Sequence, residues 1–189
     1  IRIGEQLAHL TRQMLAFAGK GRFVVERVNL SDLIPQMAAL IQPSIPKRIA
    51  LHFQLTPGLP GIDADPSQMQ QVFMNLVLNA AEAIANDVGV ISVRTRIEQV
   101  DESFTRRHPS VGDLVPGKYV CLEVQDTGCG MDGATQTKIF DPFFTTKFTG
   151  RGLGLAAVGG IVRSHKGGIM VASAPGQGST FRVWFPVAQ

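Results

Sequence analysis

Residues 126–155 limit what this chain can fold into more than any other stretch. They read DTGCGMDGATQTKIFDPFFTTKFTGRGLGL. The stretch carries one leading acid, Asp126, and two glycine runs, at Gly128, Gly130 and Gly133 and at Gly150, Gly152 and Gly154. Between the runs lie Phe140, Phe143 and Phe144 around Pro142, followed by Lys147. Glycine lets a backbone approach a ligand with no side chain in the way. The second run opens into a helical pattern from Leu153, and the first N–H groups of such a helix favour an anion. Lys147 adds a point charge. Together these features suggest a nucleotide, with Asp126 for the base and the rest for the phosphates.

The 189 residues allow one domain of ordinary size with an appended element. A hydrophobic content of 44% against 17% charged residues describes a chain with a real core. The net charge is only +3, and Lys47-Arg48 and Arg106-Arg107 are the adjacent basic pairs. That is too sparse for the basic stripe of a nucleic-acid surface, so no nucleic-acid partner is expected. Cys121 and Cys129 have no metal-type spacing and read as reduced thiols of an intracellular domain. No run approaches the ~20 apolar residues of a membrane span. The chain opens at Ile1 rather than a methionine, which predicts a piece of a longer protein.

Along the chain, Ile3, Leu7, Leu10, Met14 and Phe17 are spaced 4, 3, 4, 3, the seam of a coiled coil or helical bundle over residues 1–19. Strands are expected at 23–29, 48–55, 90–97 and 119–125, with Ile49, Leu51, Phe53 and Leu55 facing inward on the second. Asn29 or Ser31 can cap a helix over 33–41. Asp65-Pro66 is a helix start, with the acid as N-cap and Pro at the first helical position, and the helix runs to about Asn86. Its apolar face is Met69, Val72, Phe73, Leu76, Ala80, Ala83 and Ile84; Gln68, Gln71, Asn75, Asn79, Glu82 and Asn86 lie on another. Asparagine is a middling helix former, so two of them one turn apart in mid-helix ask for a reason. Residues 98–117 read as a surface loop, and a hairpin pairs 168–174 with 180–185. The order predicts an α+β fold: a two-layer sandwich with an open, mixed, mostly antiparallel sheet covered on one face by helices.

Gly128, Gly130 and Gly133 satisfy the dinucleotide pattern GxGxxG, but residues 140–144 lack the second strand that this fold requires. No GxxxxGK[ST] loop and no protein-kinase signature occurs. Five segments in order instead resemble one family: QVFMNLVLNAAEAI its N box, DTGCGM its first glycine box, FDPFFTTK its F box, GRGLGL its second glycine box and GQGSTF its last box. The chain resembles the ATP-binding catalytic domain of sensor histidine kinases. This Bergerat-fold family is shared with gyrase-type, heat-shock-chaperone and mismatch-repair ATPases. The resemblance makes residues 1–21 the second helix of the dimerisation and phosphotransfer hairpin, and residues 22–189 the catalytic domain.

It also implies a division of labour. The side-chain oxygen of Asn79 carries Mg²⁺, a hard ion that takes few protein ligands beside phosphate oxygens and water. Asn75, one turn earlier, is placed for the metal's water shell or a phosphate. Asp126 accepts from the adenine amine, and Lys147 meets the β- or γ-phosphate. Gly128, Gly130, Met131, Gly150, Gly152, Leu153, Gly154 and Leu155 surround the nucleotide, with Thr180 near the adenine pocket. Phe140, Phe143 and Phe144 anchor a lid by burial, and residues 148–151 are expected to order only on nucleotide. Arg151 stands where the family often has Thr or Ser, either contacting phosphate or pointing outward.

Relatives that hydrolyse ATP resemble one another in placing a glutamate base one turn before the metal asparagine. Here that position is Asn75, which takes no proton, so the resemblance favours transfer to a histidine over hydrolysis. An ATPase switch, an anti-sigma-type serine kinase and an inactive nucleotide-binding module are the alternatives. None of His9, His52, His108 and His165 fits the acceptor pattern, which places the acceptor upstream of Ile1. The implied cofactors are ATP and Mg²⁺. The implied partners are an upstream phosphoacceptor helix and sensor domain, a response-regulator receiver domain, and a second copy joined through the N-terminal helix. The implied location is cytoplasmic, in a full-length protein that can be membrane-anchored.

Overall fold

The computed structural model describes residues 24–112, 114–146 and 152–189. The bundle helix expected over 1–19 and the loop expected over 148–151 lie outside these residues, as do Phe23, Lys147, Gly150 and Arg151.

Strand β1 (Glu26–Val28) pairs antiparallel with β3 (Ile62–Ala64), an element that the sequence pattern did not announce. Three residues are too few to show alternation. Helix α1 (Leu30–Ile41) starts three residues earlier than expected, because Asn29 is its cap: Asn29 Oδ1 accepts from Ser31 N at 2.9 Å. The same side chain donates to Leu59 O at 2.9 Å and so ties the turn at residues 57–61 (PGLPG) to the helix start. Leu30, Ile34, Met37, Ala38 and Ile41 form its buried stripe.

Strand β2 (Ile49–Gln54) is an edge strand, parallel to β4 (Gly89–Val100). Being at the edge leaves Phe53 40% exposed, although it lies on the expected inner face. Helix α2 (Pro66–Ile84) lies between these strands in sequence. Asp65 caps it, accepting from Ser67 N at 2.9 Å and Gln68 N at 3.4 Å. It stops two residues short of Asn86, at Ala85 with φ 54°. Strand β5 (Gly117–Asp126) pairs antiparallel with β4 on one side and with β7 (Ser179–Pro186) on the other; β6 (Gly168–Ser173) closes the order β2-β4-β5-β7-β6.

The inner sheet face, including Ile91, Val93, Val120, Leu122, Val124, Phe181, Val183 and Phe185, packs against α1, α2 and α5 (Gly154–Ser164) in one continuous core, and the single turn α4 (Gly133–Gln136) follows the first glycine run. This is the two-layer, mixed-sheet α+β architecture expected. His165, the C-cap of α5, joins two helix ends: its Nε2 accepts from Asp65 N at 3.2 Å, which leaves Nδ1–H to donate to Ile161 O at 2.8 Å.

The outer sheet face corrects one expectation. Residues 98–117 are not a plain surface loop: β4 runs on to Val100, α3 (Glu102–Arg107) follows with Asp101 as its cap, and a 3₁₀ turn spans Pro109–Val111. Val100, Val111, Leu114, Tyr119, Cys121 and Trp184 form a second buried cluster there, joined by Phe104 and Met170. Trp184 Nε1 donates to Glu98 Oε2 at 2.6 Å, and Phe104 meets the Trp184 ring edge-on with centroids 5.5 Å apart. Cys121 is buried and Cys129 exposed, both as free thiols.

Candidate functional site

The site is built where β5 ends beside the last turn of α2. Asp126, the final residue of β5, is 4% exposed, and its Oδ1 accepts from Gly128 N at 2.7 Å. It lies between Ile91 of β4 and Ser179 of β7 in the sheet register. The backbone beyond it presses on α2: a Cβ on Gly128 would stand 2.6 Å from the carbonyl carbon of Ala83, and Cys129 N donates to Ala83 O at 3.0 Å. Gly130 has φ 66°, and a Cβ there would meet Ala174 O at 1.9 Å, so only glycine fits this crossing of two loops. Met131 N donates to Ser173 Oγ at 2.8 Å, which ties the loop to the end of β6.

The opposite wall is the start of α5. The other long helices are capped by Asn29 and Asp65, whereas Leu153, the N-cap of α5, makes no side-chain cap bond. Its first N–H groups thus keep their attraction for an anion. Gly154 brings this helix end against α2: a Cβ there would be 3.2 Å from Asn75 Oδ1 and 3.9 Å from Asn79 Nδ2. Asn75 Nδ2 is buried with no hydrogen-bond partner in the protein, as are Gln71 Nε2 and Gln68 Oε1 on the same helix. A buried amide without a partner is costly unless a ligand supplies one.

Between the two walls lies a cavity of about 500 Å³, within the usual range for a small-molecule site. The structure brings Asn75, Asn79, Asp126, Gly130, Met131, Gly152, Leu153, Gly154 and Leu155 together around it. Gly128 stands behind the wall against Ala83. Phe140 packs on the core rather than lining the cavity. Thr180 is displaced from its expected place, because in β7 the inner positions are Ser179, Phe181, Val183 and Phe185. Thr180 shares the outer face with Arg182 and Trp184, and Ser179 and Phe181 line the cavity instead. Carrying the period of two back from Phe185 would have found both. Glu82 and Cys129, unassigned from sequence, also line the wall.

The aromatic anchor is corrected in part. Phe140 and Phe144 pack against the main core, but Phe143 is 69% exposed. Phe143 N donates to Gly152 O at 2.8 Å, and Phe143 holds φ 68°, which turns its ring outward. Gly152 has φ 64°, and a Cβ on it would stand 2.4 Å from the Phe143 carbonyl carbon. The F box and the second glycine box are therefore clamped backbone to backbone.

Among the described residues there is no group of three or more His, Cys, Asp or Glu placed to hold a metal ion. A divalent ion in this cavity would rest on the amides of α2 and on its ligand's own oxygens. The donor set fits Mg²⁺ carried in with a polyphosphate, since that ion keeps most of its water and phosphate shell.

The family pattern of histidine kinase-, DNA gyrase B- and HSP90-like ATPases matches residues 64–189, and the chain belongs to this family. Among individual proteins, it is 38% identical to the sensor histidine kinase ZraS of Escherichia coli (strain K12), covering 97% of this chain and 36% of ZraS. It is 36% identical to the sensor kinase CckA of Brucella abortus (strain 2308), covering 95% of this chain and 19% of CckA. The chain thus spans about a third or less of these relatives. Full-length ShkA, crystallised in complex with AMPPNP, superposes over 100% of this chain and 37% of its own at a TM-score of 0.76 and 26% identity. The catalytic domain of histidine kinase ThkA in a nucleotide-free form matches at 0.68 and 28% identity, covering 87% of this chain and 99% of that one.

Proposed function

We propose that this chain is the ATP-binding catalytic unit of a two-component sensor histidine kinase, transferring the γ-phosphoryl group of Mg-ATP to a histidine on an upstream helix. The observation that carries this reading is the polarity of the cavity. One end holds the uncapped start of α5 with Asn75 and Asn79 against it; the other holds the buried carboxylate of Asp126. A phosphate chain suits the first end and an amine-bearing base the second. Asp126 keeps one oxygen occupied by Gly128 N, which fixes the carboxylate so that it accepts from the adenine amine and repels the guanine oxygen. Asn79 would hold Mg²⁺, which when bound neutralises charge on the phosphates; Lys147 and Arg151 are proposed as further phosphate contacts. Asn75 Nδ2, buried and unsatisfied, donates to the terminal phosphate or to a water beside it.

Transfer to histidine is favoured over hydrolysis because Asn75 stands one turn before Asn79 and takes no proton, so no group there activates water. A neutral imidazole brings its own nucleophilicity. The described histidines are poorly placed to receive the phosphoryl group. His52 lies on the outer face of edge strand β2, the ring of His108 packs at a tilt against Phe104, and both ring nitrogens of His165 are hydrogen-bonded. The acceptor then lies on the dimerisation hairpin, which would also join two copies, and a response-regulator receiver domain would take the phosphoryl group onward. No helix among the described residues is long and apolar enough to cross a membrane, which suits a cytoplasmic catalytic unit.

The test is twofold. Calorimetry should give a heat of Mg-ADP binding that Asn79→Ala removes. With γ-³²P-ATP, acid-labile label should appear on an added helical hairpin carrying an acceptor histidine, and not on this chain alone. Phosphate release that is fast and independent of the hairpin would favour the ATPase switch instead.

A further inference from the structure

Helix α2 runs the length of the cavity and serves as a ruler for it. Near its middle, Asn75 and Asn79 face Gly154 and the start of α5. Near its end, Ala83 carries the backbone of Gly128 and Cys129, two and three residues beyond Asp126. The cavity's phosphate-suited end therefore lies at Asn75 and Asn79 and its base-suited end beside Ala83. Glu82 lines the same cavity, one residue before Ala83, with an exposed side chain. At 1.5 Å of rise per residue it stands about 4.5 Å further along the axis than Asn79, and about 10 Å further than Asn75. A carboxylate beside the phosphates would repel them. Three residues on, it meets the part of a nucleotide between phosphate and base.

We infer that Glu82 is a sugar-recognition residue: its carboxylate accepts hydrogen bonds from the ribose hydroxyls and sets a preference for ribonucleotides over deoxyribonucleotides. The inference rests on the nucleotide reading above and assigns a role to the one wall carboxylate that reading leaves unused. The chemistry is selective because a ribose hydroxyl is a donor that a deoxy position lacks. Asp126 is fixed by Gly128 N at the strand end, whereas Glu82 projects from a helix into the solvent-facing side of the cavity. The same placement argues against Glu82 as a base for hydrolysis: it lies toward Asp126, away from the end suited to the terminal phosphate.

The experiment compares dissociation constants of ADP, 2′-deoxy-ADP and 3′-deoxy-ADP by calorimetry, with and without Mg²⁺, for the wild type, Glu82→Gln and Glu82→Ala. Wild type should hold ADP roughly tenfold more tightly than at least one deoxy analogue, the scale of a hydrogen bond to a charged acceptor. Glu82→Ala should hold ADP only as tightly as wild type holds that analogue, with the preference gone, and Glu82→Gln should fall between. The pattern should persist without Mg²⁺. Equal binding of all three by wild type, a preference that survives in Glu82→Ala, or a loss seen only with Mg²⁺ would each overturn the sugar role while leaving the nucleotide site standing. Failure of wild type to bind ADP at all would overturn both.

Discussion

Gly154 is where one methyl group separates binding from stability. It is the first residue of α5, and its Cα faces the amides of Asn75 and Asn79. Alanine is the better helix former by up to ~1 kcal/mol, so Gly154→Ala should leave the unfolding midpoint unchanged or raised. The added Cβ, however, would stand 3.2 Å from Asn75 Oδ1, closer than ordinary contact, and would push that amide by a few tenths of an ångström. Positioning at a phosphate site tolerates little displacement. The expected outcome is roughly tenfold weaker Mg-ADP binding by calorimetry, about 1.4 kcal/mol, with no loss in a urea melt. Unaltered affinity would mean that α5 and the amide pair do not act on the same ligand. Asn75 and Asn79 were legible in the sequence because paired asparagines are out of place in mid-helix. Thr180 was misplaced because a motif match names a segment, while strand register decides which side of the sheet each residue faces.

At the scale of elements, the sheet carries a charged row across three strands. Glu123 of β5, with a side chain 5% exposed, accepts from Arg182 Nε at 2.7 Å, Arg94 at 2.8 Å and Arg96 at 3.1 Å. Burial alone would raise its pKa; hydrogen bonds from Arg182 and Arg94 and the charge of Arg96 outweigh it and hold the carboxyl below its ordinary value. Its folded form is therefore the more acidic. The stability it contributes is complete above the unfolded value, about 4.3, and is lost as pH falls through the lower folded value. The arginine side chains are 34–38% exposed, so solvent discounts the interaction. Glu123→Gln should cost about 1–2 kcal/mol at pH 7, and its gap from wild type should shrink as urea melts are repeated down to pH 3. A gap independent of pH would remove the charge from the explanation. The same outer face shows why part of the fold escaped the sequence. In residues 98–117 the apolar positions Val100, Phe104, Val111 and Leu114 sit on four short segments (the end of β4, α3, the 3₁₀ turn and the loop after it), each too short to show a period of its own, and they become a core only when Tyr119, Cys121 and Trp184 arrive from β5 and β7. Phe143 escaped for a local reason: its composition says anchor, but the bond from its N–H to Gly152 O sets the backbone that turns it outward.

At the scale of the molecule, the sheet has a core on each face, and the cavity lies on the face covered by α2 and α5. Its walls come from α2, from the loop after β5, from the clamped F box and second glycine box, and from the start of β7. These segments are far apart in sequence, so a ligand bridging them binds the folded chain and not the unfolded one. At a hundred times its dissociation constant, such a ligand adds about 2.7 kcal/mol to the unfolding free energy. In a chain of this size each kcal/mol moves the midpoint by about 2–4 °C. Mg-ADP at that excess should therefore raise Tm by about 5–10 °C. Asp126 should make the rise specific for the base, because a carboxylate accepts from the amine of adenine and repels the oxygen that guanine presents there; Mg-GDP at the same concentration should leave Tm nearly unmoved. Asp126→Asn keeps an oxygen for the 2.7 Å bond from Gly128 N, so the loop stays in place, yet it removes the charge that separates the two bases. In that variant the Mg-ADP shift should fall toward the Mg-GDP shift in a thermal melt. Equal shifts by both nucleotides in the wild type would sever Asp126 from base recognition, since the phosphate end alone cannot tell one base from the other.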